Sequence, residues 1–434
     1  MLQNPGNTSS GSALKALVSN ASILFSGGML VSIMAVISFI LVARQLGPDV
    51  FGIFALCTSA VLVIDRLVNF QSWQAIVRFG SELVDDNSKK GGGLPRLVAG
   101  CFLFDVITAL IGAGVACLSI YLLGFWMEWS ADTRFAGAIF GLVVGSKISG
   151  SAIGIFRLLE DYWGQVYVQL VASIVKLALV LVGVYLDWGI LGFLAVWAAT
   201  EILMQFGLTL MAFFKFRARY NLKIFSEGVG LEAEVIRFMV WTNVAVAADL
   251  PAKEFDVVIV GLLAGERAAG VYKIARQGMA LVGKVSSPMY QAVYPVQSKM
   301  LAKRDRAGAV RITLRSSMLL TAVSAVLVLV SWPLLPSLVP LVLGSDYGAV
   351  WALFLFAVAV KSLDNIFTPV HSLFIALGYI KANLLILLIA NGLLLVGFWL
   401  VVPTSGAIGA LACLAAQAIF VLCSKIYVIN KRAV

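Results

Sequence analysis

Apolar residues in this chain come in long unbroken runs, not on one face of a helical or alternating pattern. Between charged or Gly/Pro breaks, the runs occupy residues 17–43, 50–77, 97–123, 135–156, 165–186 and 190–214. Six more follow at 238–263, 268–298, 312–343, 347–376, 382–402 and 406–429. A helix needs about 20 apolar residues to cross the hydrocarbon core, and each run supplies them. Only helices and closed barrels satisfy every backbone group in lipid, and these runs are far longer than barrel strands. The pattern predicts an all-α integral membrane protein of about twelve transmembrane helices.

Composition agrees and removes the main competitor. Of 434 residues, 61% are hydrophobic and 12% charged, with a mean hydropathy of +0.98. A soluble domain is nearer 45–50% apolar and about 25% charged, which excludes a water-soluble globular protein. The net charge of +10 would suggest nucleic acid in a soluble chain. Here the Lys and Arg residues between spans fall mostly on one side. With the N-terminus cytoplasmic, inside gaps hold nineteen of them and outside gaps three (Arg44, Arg134, Arg267). That is a positive-inside signal with both termini cytoplasmic, and it leaves no nucleic-acid partner to explain the charge. The first run follows a segment whose one charge is Lys15, and it is too long for a signal-peptide core, so it reads as a retained first helix.

The two halves repeat. Gly47-x4-Gly52-x-Phe54 returns 218 residues later as Gly265-x4-Gly270-x-Tyr272, and Gly189-x2-Gly192 returns 217 residues later as Gly406-x2-Gly409. Six helices per half make both copies enter the membrane in the same direction, so the repeat is parallel and the two six-helix bundles are pseudo-symmetric. Residues 17–214 form an N-lobe and residues 238–429 a C-lobe, joined by a cytoplasmic linker at 215–237. Cytoplasmic tails at 1–16 and 430–434 complete the chain.

Ionisable residues inside the runs are the informative ones, because each is costly when it faces lipid. Lys273, Arg276, Gln277 and Lys284 lie on one side of the eighth helix, in a run with no acid. Three cations on one face suit a bound anion such as a phosphate; alternatively they pair with Asp249, Glu254 or Asp256 of the seventh helix. Lys284 maps onto Arg66 of the second helix at the 218-residue shift, so each lobe offers a cation at matching depth. Lys176 and Lys253 are two further bases inside the runs. Polar stripes also run along the fifth helix (Gln165, Gln169, Ser173, Lys176) and the tenth (Lys361, Asp364, Asn365, Thr368, His371). Such stripes line a cavity or bond neighbouring helices, and Lys361 with Asp364 also suits a local pair. His371 reads as structural, and Arg315 and Lys425 read as snorkelling to a nearby surface. Pro251 is expected to kink the seventh helix. The five cysteines have no metal-ligand spacing, one histidine offers no triad, and no GxxxxGK[ST] phosphate loop occurs. No enzyme activity, metal or cofactor is expected.

Ala43-Arg44-Gln45-Leu46-Gly47-Pro48, running into Phe51-Gly52-Ile53-Phe54, resembles the first-hairpin signature of Wzx-type polysaccharide flippases. These belong to the multidrug/oligosaccharidyl-lipid/polysaccharide exporter superfamily. Asp256 with Gly261, Gly265, Gly270 and Tyr272 resembles the family's helix 7–8 hairpin, and Gly378-Tyr379-x-Lys381 and Pro403-x2-Gly406-x2-Gly409-Ala410 its helix 10–12 connections. The resemblance implies flipping of a polyprenyl-diphosphate-linked oligosaccharide across the bacterial inner membrane for surface polysaccharide assembly, by alternating access. On that expectation Lys273, Arg276, Lys284 and Arg66 bind the diphosphate, aided by Lys176, Lys253 and Lys361. Gln165, Gln169 and Asn365 meet the sugar, and Asp249, Glu254, Asp256 and Asp364 are the candidates for ion coupling. A polysaccharide polymerase and glycosyltransferases are the expected partners, with membrane lipid around the tail. Two other readings stay open: a cation-coupled multidrug exporter of the same superfamily, and a membrane glycosyltransferase or polymerase.

Overall fold

The structure is a computed structural model that describes residues 10–85, 93–220, 223–247, 250–284 and 286–431. Among these residues it is helical, with twelve membrane-length units and no strand. Helices α1 (10–46) and α2 (48–68) form one path bent at Gly47, and α2 resumes as Ser72–Asp85. Next come α3 (Leu94–Trp126), α4 (Ala131–Gly141, Leu142–Ser146 and Gly150–Leu158), α5 (Tyr162–Tyr185) and α6 (Ile190–Tyr220). In the second half, α7 runs as Ala233–Ala247, Leu250–Lys253 and Phe255–Ala264, and α8 as Glu266–Gly283 and Ser287–Ala302. The chain continues through α9 (Arg306–Leu343) and α10 (Trp351–Ile366 and Thr368–Ala376). A path bent at Gly406 ends it as α11 (380–405) and α12 (407–431). The first helix thus begins at Ser10, within the segment expected to be a tail.

The surface is apolar, as a membrane requires. Leu110 and Leu118 of α3, Leu329 and Trp332 of α9 and Trp399 of α11 all face outward with more than half their surface exposed. In water such a belt would far exceed the apolar patch of an ordinary monomer. Eight helical stretches are long and apolar enough to cross a membrane, and two of them hold two spans each. The remaining two spans, α7 and α8, are each divided into helices of 18 residues or fewer.

Conformation repeats along with sequence. Gly47 (φ 72°, ψ 167°) and Gly265 (φ 85°, ψ 173°) turn the first hairpin of each lobe in a region open essentially to glycine alone. The helix breaks repeat too. Residues 69–71 interrupt α2, and Lys284 and Ser286 lie in the break of α8, while 147–149 interrupt α4 and Phe367 interrupts α10. Each break frees backbone groups that must be satisfied inside the protein. Asp105 of α3 serves both N-lobe breaks: its Oδ2 accepts from Ser72 Oγ at 3.0 Å, from Ser151 N at 2.8 Å and from Ser151 Oγ. Asn69 Nδ2 donates to the Lys147 carbonyl at 3.2 Å. In the C-lobe, Asn365 donates to the Val282 carbonyl at 2.9 Å and accepts from Ser286 Oγ at 3.0 Å.

The lobes meet tightly at the end carrying the Gly47 and Gly265 turns, which is the outer end in the expected orientation. A Cβ on Gly52 would lie 2.0 Å from the Glu266 carbonyl oxygen, and one on Gly270 3.0 Å from the Gly52 Cα. Two glycines therefore allow α2 and α8 to touch backbone to backbone. A buried core of Phe39, Phe51, Phe54, Trp197, Tyr272 and Phe398 spans this contact. A second core fills the inner half of the N-lobe, and Ile224 of the linker and Val235 and Met239 of α7 belong to it. The first segment of α7 thus packs on the N-lobe, while its last segment packs with α8 and the C-lobe core.

Candidate functional site

A cavity of about 720 Å³ lies in the C-lobe between α7, α8, α10, α11 and α12, with Leu62 of α2 also lining it. Its size is that of a small-molecule or headgroup site. Five basic side chains line it (Lys253, Lys273, Arg276, Lys361 and Lys425), against two carboxylates, Glu254 and Asp364. A second cavity of about 320 Å³ lies between the lobes, where Arg66 and Gln74 of α2 face Thr242, Leu250, Lys253 and Glu254. Lys253 and Glu254 belong to both, so the two spaces share a wall. The interruption of α7 at Glu254 (φ −135°) puts that wall at the lobe boundary.

Several expected residues meet there and others do not. Lys273 is 5% exposed, and its ammonium donates to Ser59 Oγ of the N-lobe at 3.0 Å. Arg276 lines the cavity but has an acid partner. Its Nε lies 2.7 Å from Asp256 Oδ2, and its guanidinium also donates to the Lys253 carbonyl at 3.1 Å. Asp256 is fully buried and also accepts from the Tyr272 hydroxyl at 2.8 Å and from Val257 N at 2.9 Å. The antiparallel α7–α8 hairpin brings these residues together, so Arg276 is paired with an acid of α7 as well as lining the cavity. Lys361 and Asp364 likewise pair, at 2.6 Å on the cavity wall.

Lys284 lies apart from these residues. It lines neither cavity; its ammonium donates to the Gly28 carbonyl at 2.7 Å and to Ser32 Oγ, tying the break in α8 to α1. Arg66, its repeat mate, is exposed in the smaller cavity, so the structure does not bring the two together in one space. Asn365 is 1% exposed, and its amide bonds on both atoms to the α8 break, outside the lining of either cavity. Gln165, Gln169 and Lys176 line neither cavity, and the Lys176 ammonium sits 4.9 Å over the Trp197 ring. Asp249 lies outside the described residues.

The structure adds residues to which the pattern gave no role. Asn391 of α11 and Gln417 of α12 line the cavity and bond to each other at 2.6 Å. Lys425 does not snorkel: it is 5% exposed on the cavity wall, with its ammonium 2.7 Å from His371 Nδ1. His371 stacks on Tyr290, with centroids 6.1 Å apart, and Tyr290 stacks on Tyr294. A polar residue inside an otherwise apolar run was the available signal for Asn391 and Gln417.

Helix order, repeat and cavity together define a two-lobed polytopic membrane protein with the architecture of the multidrug/oligosaccharidyl-lipid/polysaccharide exporters. An inward-facing multidrug resistance MATE family transporter of the MOP superfamily superposes with a TM-score of 0.73 at 13% identity, over 92% of this chain and 93% of its own. The lipid II flippase MurJ, in an inward closed conformation, superposes with a TM-score of 0.65 at 12% identity, over 94% and 87%. At these identities the likeness is one of fold. The inner membrane protein YghQ of Escherichia coli (strain K12) is 22% identical over 293 residues, 65% of this chain and 80% of that protein. The polysaccharide biosynthesis protein family matches residues 17–301, and the chain belongs to that family.

Proposed function

We propose that this protein flips a polyprenyl-diphosphate-linked oligosaccharide from the cytoplasmic to the outer leaflet of a bacterial inner membrane by alternating access, with both termini in the cytoplasm. The observation that carries the reading is the cationic wall of the C-lobe cavity, which continues through Lys253 to Arg66 of the other lobe. A diphosphate is a compact anion, and ammonium and guanidinium donors make strong charge-assisted bonds to it. Lys253 and Lys273 are the direct ligands, Arg276 adds donors while held by Asp256, and Arg66 closes the site from the N-lobe. Glu254 is the carboxylate that an arriving anion displaces from its basic neighbours, and so the residue through which ion coupling would act. A cationic drug would favour walls in which carboxylates predominate, and this cavity has the opposite balance. Glycosyltransferases that build the oligosaccharide and a polymerase that consumes it are the partners this role requires.

The test is flipping of a fluorescent undecaprenyl-diphosphate oligosaccharide in proteoliposomes, read by quenching of the outer leaflet. The Lys253→Gln/Lys273→Gln double variant leaves the Arg276–Asp256 pair intact and is expected to lose flipping while it melts like the wild type. A double variant that flips at the wild-type rate refutes the proposal.

A further inference from the structure

The inner end of the C-lobe cavity differs in chemistry from its middle. Lys253, Lys273, Arg276 and Lys361 group with Glu254 and Asp364, and on α10 His371 comes ten residues after Lys361. At 1.5 Å per residue that is about 15 Å along the helix. Around His371 the wall carries Lys425 and Thr368, while the Asn391–Gln417 amide pair lies elsewhere along the wall, Gln417 being eight residues, about 12 Å, before Lys425 on α12. An imidazole backed by a tyrosine stack, a hydroxyl and one buried ammonium are a donor set for a sugar that bears a negative group, and the amide pair further along the wall suits the hydroxyls of a neighbouring sugar. The separation is far greater than the spacing of two phosphates in one diphosphate, so a single headgroup does not fill both ends.

We propose that this inner end is a glycan subsite that selects an acidic sugar, with the Lys425 ammonium meeting a carboxylate on the oligosaccharide while the diphosphate lies at Lys253 and Lys273. The inference rests on the flippase reading and narrows it to anionic repeat units. His371 Nδ1 holds the Lys425 ammonium at 2.7 Å and thereby aims it, and the Asn391–Gln417 pair, about 12 Å along α12, offers donors and acceptors to the hydroxyls of a second sugar. A charged hydrogen bond of this kind corresponds to about tenfold or more in affinity.

The experiment measures binding of three probes to the full chain in nanodiscs by ligand-induced thermal shift. They are undecaprenyl diphosphate, its disaccharide conjugate ending in glucose, and the same conjugate ending in glucuronic acid. Wild-type protein is expected to bind the glucuronate conjugate about tenfold more tightly than the glucose conjugate. Lys425→Gln is expected to abolish that preference while keeping its affinity for the glucose conjugate, and Lys425→Arg to retain the preference. Should Lys425→Gln fail to fold, His371→Ala, which removes the group that aims the ammonium, is expected to shrink the preference in its place. Equal wild-type binding of the two conjugates overturns the acidic subsite and leaves the headgroup reading standing. Failure of all three probes to bind overturns both.

Discussion

Gly52 is the point at which the lobes can be pushed apart by one methyl group. A Cβ at this position of α2 would lie 2.0 Å from the carbonyl oxygen and 2.3 Å from the carbonyl carbon of Glu266, about 1.4 Å short of the 3.4 Å at which ordinary contact begins. The obstruction is backbone in the first turn of α8, so no rotamer change relieves it. Overpacking of this kind costs about 1–3 kcal/mol. The helix-propensity gain of alanine over glycine, about 1 kcal/mol, applies whether the lobes touch or not and cancels from the equilibrium. Gly52→Ala should therefore shift the balance between joined and separated outer ends by roughly 5–150-fold.

Leu56 is the reporter. It is fully buried, and its side chain occupies the space a Cβ on Gly261 would enter, across the same lobe contact. A Leu56→Cys variant in a background lacking the five native cysteines should react slowly with a membrane-impermeant maleimide when Gly52 is present. With Gly52→Ala the rate should rise at least fivefold, in line with the population shift. Gly114→Ala, where a Cβ meets nothing within 4 Å, is the control and should leave the rate unchanged. Equal labelling with and without Gly52→Ala, at equal melting temperature, would refute the claim that this glycine contact holds the outer end shut.

Two further outcomes follow from buried charge. Arg276→Gln strands the fully buried Asp256 and should cost about 3–5 kcal/mol in unfolding measured in detergent, most of it recovered when Asp256→Asn is added. Asp105→Ala removes the acceptor shared by Ser72 and Ser151 and should cost about 1–3 kcal/mol, whereas Asp105→Asn keeps an acceptor and should melt closer to the wild type.

What the sequence made legible was what depends on local chemistry. The turn glycines at 47 and 265 stood out because a backbone at φ near +80° excludes other residues, and both turns are present at those positions. The interruptions of α2, α4, α8 and α10 were not legible, because apolar runs read straight through them and the compensating donors come from elsewhere in the chain. Asp105 lies 46 residues from Ser151, and Asn365 79 residues from Ser286. The stripe on α8 was visible, but its partners depend on how far α7 and α8 slide in their hairpin, which spacing within one helix does not encode. Lys425 was misread for a similar reason. Nearness to a helix end suggests snorkelling, yet His371, 54 residues earlier, holds the ammonium inside.

Divergence between the lobes explains why the described site is one-sided. Position 147 holds a lysine in the N-lobe, where its ammonium pairs with Glu201 at 2.5 Å and stands 3.9 Å from Asp65. The equivalent position, 365, holds the asparagine that closes the α8 break. Position 65 holds that aspartate, whereas the equivalent position, 283, is a glycine over which the Lys361 stem passes; a Cβ there would lie 2.6 Å from the Lys361 Cε. So the N-lobe spends its polar groups on one another and becomes a packed body, while glycine at 283 gives a lysine passage to a cavity wall in the C-lobe. The basic side chains of the larger cavity therefore belong to one lobe, and Arg66 is the exposed base across the boundary in the smaller one. In the proposed cycle, parting the lobes would withdraw Arg66 and break the Lys273–Ser59 bond, while Lys253, Arg276 and Lys361 would stay together on the C-lobe wall.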